Sequence, residues 1–224
     1  MSYDCIVSLT TWKKRIGSPE LPKVLFRLLR QKTKYNFKVV LVLAEDEFPQ
    51  KEAVVPKLLL AMAKKEPRFE IVWQKSNTRA LKKLTGAQMA YPNLPIITTD
   101  DDILVKDSFV EEFMNCHVKH PKDIITAHLW KHETGVEVTG WARLYPPRSL
   151  AMLPDALFMK FFKGLEDDIW NGLRAYLVGT KHRLLGTWPF RAELKVGSAL
   201  RDEYLKTDVT AMMANFAKGC KLSV

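Results

Sequence analysis

Pro95-Ile96-Ile97-Thr98-Thr99-Asp100-Asp101-Asp102-Ile103-Leu104-Val105 carries β-branched residues into three consecutive carboxylates and then returns to apolar residues. Short apolar runs rich in Ile and Thr, entered here through Pro92, Asn93 and Pro95, read as buried strand. Charge is costly there: two unit charges about 6 Å apart repel by roughly 3 kcal/mol at an effective dielectric near 20. The triplet therefore asks for a cation. On an extended backbone Asp100 and Asp102 share one side and Asp101 takes the other. Two carboxylates so placed suit a hard divalent ion, Mg²⁺ or Mn²⁺, whose shell is completed by water and phosphate oxygens. The other reading is a solvated acidic turn in which Asp100 caps the next helix.

Upstream of the triplet, strand and helix patterns alternate. Cys5-Ile6-Val7-Ser8-Leu9 reads as a first strand, followed by the polar loop Thr10-Thr11-Trp12-Lys13-Lys14-Arg15. Leu21 to Gln31 reads as an amphipathic helix with Leu21, Val24, Leu25, Leu28 and Leu29 on one face and Lys23, Arg27 and Arg30 opposite. That basic face, with Lys32, Lys34 and Lys38 beyond it, could touch anionic lipid. Lys38 to Ala44 is apolar enough to be a strand covered on both faces. Pro56 to Lys65 reads as a short helix and Phe69 to Gln74 as a third strand. Asn77-Thr78-Arg79-Ala80-Leu81-Lys82-Lys83-Leu84 is a loop leading into a helix, after which the acidic strand begins. Such alternation predicts a mostly parallel α/β sheet flanked by helices, with ligands beyond the carboxyl ends of the strands. Thr10 to Arg15, Asn77 to Lys83 and the triplet would meet at that edge. A solvated basic turn is the competing account of Thr10 to Arg15.

Downstream, Lys106 to His120 reads as a helix and Ile124 to Ala127 as a strand. From His128 to Pro154 the pattern loosens, and Glu133-Thr134-Gly135 reads as a turn between short strands. Trp130, Trp141 and Tyr145, interspersed with His128, His132 and Arg143, could line an acceptor pocket, sugars included, or could simply be packing. A second acidic cluster then opens a helix: Glu166-Asp167-Asp168 precede Ile169, Leu173 and Leu177, and Gly179 ends the run. Acids in a first turn complement the helix dipole. They could also be carboxylates held in a cleft, ready to take a proton from a hydroxyl.

The totals narrow the field. A chain of 224 residues, 47% hydrophobic and 27% charged, is long and apolar enough for a folded domain, which excludes disorder. A formal charge of +10 favours an anionic partner. Cys5, Cys116 and Cys220 are too few and too scattered for a disulfide framework or a thiolate metal site. The first residues lack the basic-then-apolar pattern of a leader, and runs such as Val39 to Ala44 are too short to span a bilayer. The expectation is a soluble, cytoplasmic protein.

Taken together, Val7-Ser8-Leu9-Thr10-Thr11-Trp12-Lys13-Lys14-Arg15-Ile16, Lys82-Lys83-Leu84, Ile96 to Val105 and Glu166 to Trp170 resemble glycosyltransferases of the GT-A fold. The resemblance is strongest to bacterial nucleotide-sugar transferases of the family-2-like kind, including those of capsule and lipopolysaccharide synthesis. It implies a DxD motif within Asp100 to Asp102 that binds ribose and a divalent metal on the diphosphate. It also implies a general base in Glu166-Asp167, or in Asp168 because this chain has Glu-Asp-Asp. By the same resemblance Thr10 and Arg15 would contact the nucleotide, and Asn77, Arg79 and Lys83 the base or diphosphate. His182 would be a late metal ligand, unless it is an ordinary surface histidine. One domain over residues 1–224 is expected, with 1–105 for the nucleotide sugar and 106–224 for the acceptor.

The activity so implied is single transfer of a sugar from a nucleotide-diphosphate donor, a UDP-sugar, to a glycan or lipid-linked saccharide, with inversion. Peripheral association with the cytoplasmic face of the inner membrane and no nucleic acid partner go with it. Rival readings are a nucleotidyltransferase of sugar phosphates, a basic metal-dependent nucleic-acid-binding protein and a non-catalytic interaction module. Against the first, Leu9-Thr10-Thr11-Trp12 has no glycine-rich loop; against the second, no recognised nucleic-acid motif is visible.

Overall fold

Alternation along the first two strands decides the layering. In β1 (Cys5–Thr10), Cys5, Val7 and Leu9 join one apolar cluster and Ile6 another; in β2 (Phe37–Ala44), Phe37, Val39, Leu41 and Leu43 divide in the same way from Val40 and Val42. Both faces are dry, so both need helices, which is the condition for a parallel sheet. The computed structural model describes residues 2–131, 135–194 and 208–220.

From β1 the chain continues through α1 (Glu20–Leu29), β2, α2 (Lys57–Lys65), β3 (Phe69–Gln74), α3 (Lys82–Ala90), β4 (Ile96–Thr98) and β5 (Ile103–Val105). It then forms α4 (Phe109–Lys119), β6 (Ile124–Lys131), β7 (Glu137–Tyr145), α5 (Asp155–Phe162) and α6 (Asp167–Leu177). β8 (His182–Leu184), β9 (Phe190–Glu193) and α7 (Val209–Cys220) complete the described chain. The main sheet has the order β3-β2-β1-β4-β7-β6-β8. β7 alone runs against its neighbours β4 and β6, so the sheet is mostly parallel, in keeping with the expected α/β class.

Leu21, Val24, Leu25 and Leu28 of α1, Leu59 of α2 and Phe109 and Phe113 of α4 seal one face. Leu84 and Ala87 of α3 and Ala175 of α6 lie on the other. Each such side chain contributes about 1.5–3 kcal/mol when fully buried. A third cluster, with Trp170, Leu173, Phe158, Phe162, Val138 and Phe216, seats α6 against α5, α7 and β7. Gly172 lets α6 approach β7 closely, since a Cβ there would lie 2.3 Å from the Glu137 carbonyl oxygen.

Several expectations are corrected. The acidic stretch is not one strand: β4 ends at Thr98, the triplet turns, and β5 pairs with β9 in a separate two-stranded sheet. Alternation of the three aspartates therefore does not hold. Arg27 does not belong to a solvated basic face; its Nη2 lies 2.5 Å from Asp107 and its Nε donates to the Val105 carbonyl at 2.9 Å. The loosely patterned region after His128 holds the long strand β7, while α5, α7, β8 and β9 have no counterpart in the sequence reading. His132 and the expected turn at Glu133 and Thr134 lie outside the described residues. No described helix is long and apolar enough to cross a membrane.

Candidate active site

Because β1 and β4 are parallel neighbours, the loops that follow them emerge side by side. Thr11 and Arg15 thus meet the aspartate turn: Thr11 Oγ1 donates to Asp101 Oδ2 at 2.6 Å, and Arg15 Nη2 lies 3.1 Å from Asp101 Oδ1 and 2.9 Å from Asp102 Oδ2. Asp101 and Asp102 share one guanidinium, whereas Asp100 turns to Lys83, whose Nζ is 2.7 Å from Asp100 Oδ1. Lys83 is delivered by α3, which is tied to β1 where Ser8 Oγ donates to the Lys83 carbonyl at 2.5 Å.

The second acidic cluster arrives at the same place. Lys83 Nζ lies 3.5 Å from Asp167 Oδ2 and Arg143 Nη1 lies 3.9 Å from it. Arg143 Nη2 also pairs with Asp168, and its Nη1 donates to Tyr145 Oη at 3.2 Å. Arg143 is 1% exposed and Asp167 4%. Despite its two cationic neighbours, Asp167 Oδ2 is buried without accepting a hydrogen bond from any described residue. Asp167 as a residue nevertheless lines the cleft, and a buried acceptor without a partner calls for a functional account.

Thr10, Thr11, Trp12, Arg15, Glu47, Asn77, Arg79, Ala80, Lys82, Lys83, Asp100, Asp101, Asp102, Ile103, Trp141, Arg143, Asp167, Asp168 and Glu193 line a cleft of about 460 Å³. Of the residues singled out from sequence, the structure brings together Thr10, Arg15, Asn77, Arg79, Lys83, Asp100, Asp101, Asp102, Asp167 and Asp168. It does not bring Glu166 or His182 to the lining. Glu166 precedes α6 in a left-handed conformation (φ 58°), and His182 is paired with Ile124 on the edge strand β8, its Nδ1 3.0 Å from Glu137. Trp12 and Lys82 lie in the loops expected at this edge, and Trp141 and Arg143 are among the residues offered for an acceptor pocket; Glu47 and Glu193 were not singled out.

Electrostatics follow from this crowding. Burial disfavours the Lys83 charge, but Asp100 and Asp167 outweigh it and raise its pKa above the ordinary lysine value. Burial pushes Asp101 up to about 6, against the pull of Arg15 and the Thr11 hydrogen bond. Asp102 is raised by burial and by Asp100, and Asp168 by burial and by Asp167, against Arg143. Glu166 rises to about 7 through burial and the charges of Asp168 and Asp167.

Asp100 and Asp102 are oxygen donors at the cleft, as Mg²⁺ or Mn²⁺ requires. Their contacts with Lys83 and Arg15 use one oxygen each, Oδ1 of Asp100 and Oδ2 of Asp102. No group of three or more His, Cys, Asp or Glu among the described residues surrounds a common point. The donor set fits an ion held by one or two carboxylates with ligand phosphates supplying the rest. It does not fit a protein cage completed by His182.

No protein-family model matches the chain, and no curated protein matches it in sequence. Solved structures do. The mannosyltransferase PcManGT from Pyrobaculum calidifontis, in complex with GDP-Man and Mn²⁺, superposes with a TM-score of 0.62 at 12% identity over 100% of this chain and 66% of its own. S. aureus TarS 1-349, in complex with UDP-GlcNAc, does so with a TM-score of 0.57 at 14% identity over 96% of this chain and 65% of its own. The chain spans about two thirds of the length of each of these two. At these identities the likeness is one of fold, and it is to glycosyltransferases: the architecture is GT-A-like.

Proposed function

We propose that this chain is a metal-dependent glycosyltransferase of the hexosyltransferase kind. It transfers a sugar from a nucleotide-diphosphate donor, a UDP-sugar, to a hydroxyl on a glycan or lipid-linked saccharide. One observation carries the reading: Lys83 stands between Asp100 and Asp167, so two acidic clusters far apart in sequence face one cleft. Two groups with separate duties, one at the diphosphate and one at the hydroxyl, are what such a transfer needs.

In this reading Asp100 and Asp102 hold Mg²⁺ or Mn²⁺, which when bound neutralises charge on the leaving diphosphate. Thr10, Arg15, Asn77 and Arg79 contact the nucleotide and its phosphates. Lys83 and Arg143 offer fixed positive charge to the same leaving group, a contribution of several kcal/mol in a dry cleft. The Asp167 carboxylate takes the proton from the acceptor hydroxyl as that oxygen bonds to the anomeric carbon; the bond from that carbon to the diphosphate breaks with its electron pair. Direct displacement inverts the anomeric centre. Asp168 keeps Arg143 in place, and Glu166 acts only through the first turn of α6. Residues 1–105 serve the donor and 106–224 the acceptor within one domain. A family-2-like role in bacterial surface polysaccharide synthesis, at the cytoplasmic face of the inner membrane, accords with the +10 charge.

Calorimetric titration with UDP, with and without Mn²⁺, tests the donor half, and hydrolysis of a panel of nucleotide sugars tests the chemistry. Metal-dependent UDP binding and slow hydrolysis of one donor are expected. Absence of nucleotide binding in both titrations would end the proposal, and salt-steep DNA affinity would favour the nucleic-acid rival.

A further inference from the structure

Trp141 joins the cleft to a second surface. Its ring centroid is 4.5 Å from that of Trp188 and 5.8 Å from that of His128, whose ring lies 5.1 Å from Trp130. Phe190, buried, supports Trp141 and Trp188 at 5.7 and 5.2 Å. Yet Trp130, Trp141 and Trp188 are 40, 41 and 47% exposed, so three neighbouring indoles reach solvent. Contiguous aromatic surface of this kind at the rim of a polar cleft marks a binding surface.

The backbone is shaped to present it. Thr126 pairs with Arg143 and His128 with Gly140, so Trp141 and Ala142 together stand opposite Ala127. The extra residue is Trp141, at φ 64°, in the left-handed position of a bulge that glycine usually fills. A bulky residue held there is strained, and strain of this sort clusters at ligand sites. Across the pair, a Cβ on Gly140 would meet the Trp130 ring at 3.1 Å and His128 Nδ1 at 3.6 Å, so both rings rest over this glycine.

We infer that His128, Trp130, Trp141 and Trp188 form the acceptor platform, and that the acceptor brings a pyranose ring to it. The inference rests on the glycosyltransferase reading and adds the residues that seat the acceptor's sugar ring. A pyranose has one face of C–H bonds and a rim of hydroxyls. The face stacks on indole, and the rim meets polar groups such as Glu193 and Asp168, which line the adjoining cleft. A lipid chain would need aliphatic surface, and the platform is made of rings. A phosphate-rich acceptor would find the carboxylates of Asp102, Asp168 and Glu193 nearby.

Saturation-transfer NMR on the whole chain, with UDP and Mn²⁺ present, tests this. The probes are methyl pyranosides and trisaccharides of glucose, galactose, mannose and N-acetylglucosamine. At least one should bind with transfer concentrated on the C–H protons of one ring face. Trp188→Ala should weaken that binding at least tenfold, whereas Phe26→Ala, an exposed aromatic on α1, should leave it unchanged. Wild-type protein that binds UDP but none of the saccharides overturns the platform and leaves the donor reading standing. Saccharide binding without nucleotide binding does the reverse. A wild-type dimer by light scattering that Trp188→Ala turns into a monomer also overturns the platform, by assigning the patch to a second copy.

Discussion

The Lys83 ammonium lies 3.5 Å from the Asp167 carboxylate, and it reaches Asp100 at 2.7 Å on its other side. One buried cation thereby compensates acids that arrive from the sheet edge and from the start of α6. Lys83→Met should leave both carboxylates without their shared counter-charge, and breaking a buried pair costs about 3–5 kcal/mol. Because the Asp100 side chain is 34% exposed, the lower end of that range is expected. Urea unfolding measures it, and an unchanged midpoint would contradict the bridging role.

Asp167→Asn removes the acceptor oxygen that no described residue hydrogen-bonds. Transfer should fall by about 10² to 10⁴, the usual worth of a general base, with UDP affinity nearly intact. Asp168→Asn should behave differently, since Asp168 pairs with Arg143: stability should drop along with activity. Steady-state kinetics beside calorimetry separate the two; equal effects from both variants would refute the assignment.

Glu166 offers a test by pH. Its pKa is raised from 4.5 to about 7 in the folded protein, first by burial and then by Asp168 and Asp167. The folded state therefore holds a proton that the unfolded state releases, and stability should fall as pH rises from 4.5 towards 7. Glu166→Gln should flatten that decline and stabilise the protein in mild alkali by on the order of 1 kcal/mol, allowing for solvent screening. Thermal unfolding across the pH range reads this directly.

Gly172→Ala tests the seat of the second acidic cluster. A methyl there would lie 2.3 Å from the Glu137 carbonyl oxygen, so α6 must shift. A loss of about 1–3 kcal/mol is expected, with Tm falling by about 2–4 °C per kcal/mol in a chain of this size. Donor hydrolysis should fall with it, because Asp167 and Asp168 ride on the first turn of α6.

Much of the architecture was legible because its signals are local. The continuous apolar runs of β1 and β2, the apolar stripe of α1 and the strand-helix alternation are properties of neighbouring residues. The carboxyl-end loops could be placed on one edge because parallel strands leave little choice. Short strands were expected between His128 and Pro154, but the length and place of β7 were not legible: its bulge at Trp141 breaks the alternation, and its antiparallel position between β4 and β6 depends on distant partners. His182 showed its residue type but not its register, which puts it on β8 against Glu137, outside the cleft lining.

By itself the amino-acid order determined the fold class, the edge where loops would gather and the two acidic clusters, since pattern and composition carry these. Only the tertiary structure decided which side chains share the acids' charge. The order pointed to a metal for Asp100 to Asp102, and the folded chain adds Arg15 at Asp101 and Asp102 and Lys83 at Asp100. Charges interact through space at a few ångströms, and no reading along the chain can tell which distant cation will arrive within that reach.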